Sequence, residues 1–128
     1  MSFVPYNPNP KGTLTGDCAI RAVAKATDMP WENAYTALAA EGYRKGDLPN
    51  ANHVWGTYLK SKGFKREIIP DTCPDCYTVR DFAEDHPKGM FVLALDNHVV
   101  AVNDGDYFDA WDSGNEIPLY YWYKEGSF

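Results

Sequence analysis

The chain has 128 residues, of which 45% are apolar, 15% aromatic and 23% charged. That length suits one domain able to bury about two-thirds of its unfolded surface, and the aromatic content argues against disorder. Twelve Lys/Arg against eighteen Asp/Glu give a net charge of −6, a poor basis for neutralising nucleic-acid phosphates.

No apolar run approaches the roughly 20 residues of a membrane span. The opening, MSFVPYNPNPKG, has neither the basic start nor the apolar stretch of a secretory signal. Three cysteines are too few for a disulfide-built scaffold and fit a reducing cytoplasm. The expectation is one cytoplasmic domain over residues 1–128.

Residues 1–12 carry Pro5, Pro8 and Pro10 and predict an extended arm. Ala19, Ala22, Val23 and Ala26 recur at helical spacing, so a first helix begins within a residue of Cys18. A second follows Asp28, with Trp31, Tyr35 and Leu38 inward and Gly42 stopping it. The stripe Ala51, Val54, Trp55, Tyr58 and Leu59 predicts a third helix between Asn50 and Gly63. Phe64–Ile69 is a poor strand. A short fourth helix starts at Thr78, with Asp81 as its capping-box partner, and ends by Pro87.

Period-two and continuous apolar patterns then take over. Met90–Leu95 reads as a strand buried on both faces, and His98–Val102 as the next after an Asp96-Asn97 turn. Asp104-Gly105 is a hairpin signal; Tyr107–Asp112 and Ile117–Tyr123 follow. Helices first and an antiparallel meander second define an α+β class.

A cysteine nucleophile needs a lowered pKa, and a helix N-terminus favours both a thiolate and an oxyanion. Cys18 stands at such a position. A histidine base and a carboxylate that orients it complete the set, and His98 with Asp112 fits, the two lying at facing ends of adjacent strands. Register decides the acid, because side chains alternate faces. A three- or five-residue loop at Asp104-Gly105 puts His98 and Asp112 on one face, whereas a two-residue turn puts Asp109 there. The pattern alone leaves both open.

Gly16-Asp17-Cys18 opening an alanine-rich helix, His98-Val99-Val100-Ala101-Val102, and Asp109-Ala110-Trp111-Asp112-Ser113 together resemble the papain-like cysteine peptidase superfamily. The likeness is to its small bacterial and phage-encoded members and, more loosely, to double-glycine leader peptidases and Josephin-type deubiquitinases. It spans Gly12 to about Trp122, with three short specific segments. It implies Cys18 as nucleophile, His98 as base and Asp112 as orienting residue in preference to Asp109. The cysteine helix would then pack on the antiparallel sheet. The expected activity is a peptidase or amidase acting on a peptide or protein carbonyl, with no cofactor, metal, nucleic acid or membrane. Papain-like enzymes usually carry a Gln shortly before the nucleophile that donates to the oxyanion; this chain contains no Gln. Residues 7–17 offer Asn7, Asn9 and Thr13 instead, and Asn9 is the expected donor because an amide N–H serves better than a hydroxyl.

Two other readings use the same residues differently. A papain-like module without turnover would keep the fold and bind rather than hydrolyse. Cys73-Pro74-Asp75-Cys76 is a lone CxxC, too little by itself for a four-ligand zinc site even with His53 or His86 nearby. It lacks the preceding strand of a thioredoxin-like redox unit. A turn-rich loop, bridged when oxidised, is the simpler reading. Tyr120–Tyr123 alternates as core and rim rather than as a peptide groove.

Overall fold

A computed structural model describes residues 2–124. Met1 of the expected arm and residues 125–128 of the expected domain lie outside the described residues. In chain order the elements are β1 (Phe3–Pro5), α1 (Cys18–Ala26), α2 (Trp31–Lys45), α3 (Asn52–Ser61), β2 (Phe64–Ile68), α4 (Val79–Asp85), β3 (Met90–Leu95), β4 (His98–Asn103), β5 (Asp106–Asp109) and β6 (Pro118–Lys124). The class is α+β, as its pattern of helices followed by a meander predicts.

The six strands form one sheet in the order β1-β5-β4-β3-β6-β2, antiparallel throughout except where β1 runs parallel to β5. Alternation along the central strands explains why their sequence is apolar without a break. Val92, Ala94, Val99, Ala101 and Trp122 join a core with α1, α2 and α3. Phe91, Leu93, Leu95, Val100, Val102 and Tyr107 join a second core with Val79, Phe82 and Ala83 of α4. A strand covered on both faces must be apolar at every position. Tyr120 and Trp122 belong to the first core, Tyr121 and Tyr123 to the second, so the aromatic run is packing.

Local departures from expectation have local causes. The arm is not free: its residues 3–5 form β1, paired with Tyr107, Phe108 and Asp109. Helix α2 continues past Gly42 to Lys45 and is closed by Gly46 in the left-handed conformation, φ +69°. Gly42 is buried because the returning chain crosses it; a Cβ there would stand 2.5 Å from the Asp47 carbonyl oxygen. Phe64–Ile68 does form a strand, an edge strand with only Phe64 buried, which is why its pattern is faint. Helix α4 has the full Thr78/Asp81 capping box. The strand expected to run to Asp112 ends at Asp109.

Cys73 and Cys76 are joined in a disulfide between β2 and α4. His53 pairs with Asp47, and His86 stacks on Phe82. No cluster of three or more His, Cys, Asp or Glu able to hold a metal occurs among the described residues. No described helix is long and apolar enough to cross a membrane.

Candidate active site

Helix α1 begins at Cys18, and its N-cap residue, Asp17, makes no side-chain cap to the first turn. That carboxylate is used elsewhere. It pairs with Arg21 one turn along the helix and accepts from the Trp31 indole N–H at 2.9 Å. The first-turn amides therefore stay without a side-chain acceptor while their positive end faces the thiol. Cys18 is half-buried, the only free cysteine, and shares a cleft of about 550 Å³ with His98, Arg21 and Trp111.

The β4–β5 hairpin decides which acid meets His98. Val102 faces Tyr107 and Asn103 faces Asp106, so Asp104 and Gly105 alone form the turn. Both have positive φ, +50° and +84°, as a two-residue turn matched to strand twist demands. Continuing that register puts Asp109 beside Val100, on the His98 side of the strand, and Asp112 on the other. The contacts agree. His98 Nε2 lies 2.6 Å from Asp109 Oδ2.

Asp112 is not the partner of His98, a correction to the expectation drawn from the resemblance. It accepts from the Tyr107 hydroxyl at 2.6 Å and from the Gly114 amide at 3.0 Å, and Arg80 stands 3.7 Å away. It caps the turn after β5. Asn9 is likewise misplaced as an oxyanion donor. Its amide donates to the Thr13 carbonyl and accepts from the Lys11 amide, so it braces its own loop. It lines a separate cavity with Asp17 and Trp31 rather than the one holding the thiol.

Asp109 is 1% exposed and fully engaged. Besides His98 it accepts from the Ser113 hydroxyl at 2.6 Å, from Arg21 Nη2 at 3.2 Å and from the Ala110 amide at 2.8 Å. Arg21, itself 6% exposed, thus bridges Asp17 and Asp109. Sequence reasoning missed Arg21, Ser113 and Trp31. The i,i+4 spacing of Asp17 and Arg21 was a usable sign of an ion pair; nothing in the sequence ties either to Asp109.

The electrostatics follow from these contacts. Burial pushes the Asp109 carboxyl up, but the hydrogen bonds from His98 and Ser113 and the charge on His98 outweigh it and hold it below the usual range. Burial alone would lower His98; the hydrogen bonds to Asp109 and Cys18 and their charges raise it to about 9. Burial would raise the Cys18 thiol, yet hydrogen bonding and charge from His98, the Val99 amide and Arg21 bring it below its ordinary value. With Nε2 committed to Asp109, Nδ1 is the ring nitrogen left for the sulfur. The Trp111 ring lies 4.8 Å from the imidazole and covers it, although it is half-exposed itself. The arrangement can therefore hold a thiolate beside an imidazolium, with a carboxylate behind it.

No family model, curated protein or solved structure matches the chain.

Proposed function

We propose that the chain is a cysteine-dependent hydrolase, a peptidase or amidase of papain-like type, with Cys18 as nucleophile, His98 as acid and base and Asp109 as the orienting carboxylate. The supporting observation is that Cys18 and His98 line one open cleft, with His98 Nε2 2.6 Å from the buried Asp109 carboxylate. A helix carrying the cysteine at its N-terminus and packed on a largely antiparallel sheet supports the papain-like reading.

The chemistry runs as acyl transfer. The Cys18 thiolate forms a bond to the carbonyl carbon, and the C=O electron pair moves to oxygen. Collapse of that intermediate breaks the C–N bond, and His98 gives its proton to the departing amine. Water then adds to the thioester carbon, losing its proton to His98, and the sulfur leaves as thiolate. Asp109 keeps the ring oriented and balances its charge without taking up the proton itself.

Labelling by a thiol-directed peptidyl inhibitor tests the reading. The parent chain is expected to be labelled at one site and Cys18→Ala to lose the label while keeping its circular dichroism. A parent that takes no label, or an equally labelled variant, contradicts it. Labelling without turnover of any peptide or amide would favour the non-hydrolysing module, a reading to which the loop-bound Asn9 lends weight.

A further inference from the structure

The acyl-transfer reading requires a donor for the oxyanion beyond the backbone, and neither a Gln nor Asn9 supplies one. We infer that Asn52, the first residue of α3, is that donor: a catalytic residue reaching the carbonyl oxygen from the cavity it lines with Cys18 and His98. The inference rests on the proposed function and deepens it.

Asn52 lines a cavity of about 380 Å³ together with Cys18, Gly16, Asn50 and His98. Its side-chain orientation follows from a neighbour. The Trp55 indole, on a residue with no exposed surface, donates to Asn52 Oδ1 at 3.2 Å. An indole N–H only donates, so the amide atom that meets it must be the oxygen. The NH2 end of Asn52 is thereby turned away from Trp55, and among the described residues no acceptor takes its protons. Asn50 and Asn97 also border the thiol, but no hydrogen bond among the described residues fixes either amide. Asn52 is the one asparagine there whose donor end is held in place. Together with the uncapped first-turn amides of α1 it provides the two-sided grip that a tetrahedral oxyanion needs.

Two reagents separate this role from any effect on the thiol. Iodoacetamide alkylates sulfur by displacement at saturated carbon and builds no oxyanion. p-Nitrophenyl acetate acetylates it: the S–C bond forms, the carbonyl pair moves to oxygen, and collapse expels p-nitrophenolate. The ratio of the two rates at one pH cancels any change in thiolate fraction. Asn52→Asp is the primary variant, since it keeps an acceptor for Trp55 and removes the donors; Asn52→Ala is the second. Both are expected to lower the acetylation-to-alkylation ratio, by about a hundredfold for Asp. An unchanged ratio in a folded Asn52→Asp, or in Asn52→Ala, overturns the inference while leaving the thiolate–imidazolium reading intact. A parent chain whose Cys18 is slow towards both reagents overturns both.

Discussion

At Asp109 one buried carboxylate meets His98, Ser113 and Arg21, whereas Asp112, three residues on, holds Tyr107 and the Gly114 amide. The two acids should therefore respond differently to the same change. Asp109→Asn removes the charge that holds the proton on His98, so the imidazole should titrate well below about 9 and towards its ordinary 6.5. Asp112→Asn should leave it unmoved. Imidazole NMR shifts against pH decide between them, and equal behaviour of the two variants would contradict the assignment. The sign at the thiol is equally definite. Burial is the largest influence on Cys18 and acts upward, opposed by His98. His98→Gln should carry the alkylation midpoint of Cys18 to or above the ordinary 9.0.

The β4–β5 hairpin carries that residue-level choice, because its two-residue turn sets parity. Inserting one residue between Asp104 and Gly105 should swing Asp109 off the His98 face. Low-pH reactivity of Cys18 should go with it while the sheet's circular dichroism stays. Helix α2 offers a test in which propensity and packing oppose each other. Alanine is favoured over glycine within a helix by about 1 kcal/mol, yet a Cβ on Gly42 meets the Asp47 oxygen at 2.5 Å. Gly42→Ala should lower the melting temperature; a rise would mean the crossing chain yields easily. Elements of strong period were legible beforehand: α1 from its alanines, α3 from its stripe, α4 from its capping box, β3 from its unbroken apolar run. The placement of Cys18 at the start of a helix and of His98 at the start of a strand, on which the proposed pair rests, was legible as well. What was not legible depends on contacts across the fold. The acid turned on a one-residue question of register that Asp104-Gly105 posed without answering. Arg21 and Asn52 stand in the site through the packing of α1 on β5 and of α3 beside α1, which no local pattern encodes. The edge strand β2 escaped because it buries only one side chain.

Across the whole molecule, a charge chain of Asp17, Arg21, Asp109 and His98 ties α1 to the sheet. Removing one member leaves the others uncompensated, which typically costs about 3–5 kcal/mol. Arg21→Met should therefore depress the denaturant midpoint markedly, and a value near that of the parent would show that the chain of charges is not what holds α1 to β5. Proton linkage gives a second whole-molecule signature. His98 keeps its proton to about 9 in the fold against 6.5 when free. Its stabilising contribution is complete below 6.5 and lost as pH rises towards 9. Cys18, whose value is lowered, acts with the opposite sign, gaining stability as pH rises towards 9.0. Cys18→Ser removes the opposing thiol and also the part of the His98 shift that Cys18 supplies. Its remaining His98 contribution, held by Asp109, should be lost at a lower pH than in the parent, whose profile stays flatter over that interval. The pH dependence of Cys18 alkylation by iodoacetamide, with Cys73 and Cys76 bridged, tests the thiolate–imidazolium pair most directly. The rate should level off at a pH below the ordinary 9.0 of the thiol. A rate climbing about tenfold per pH unit to a midpoint at or above 9.0 would contradict the pair and the hydrolase built on it.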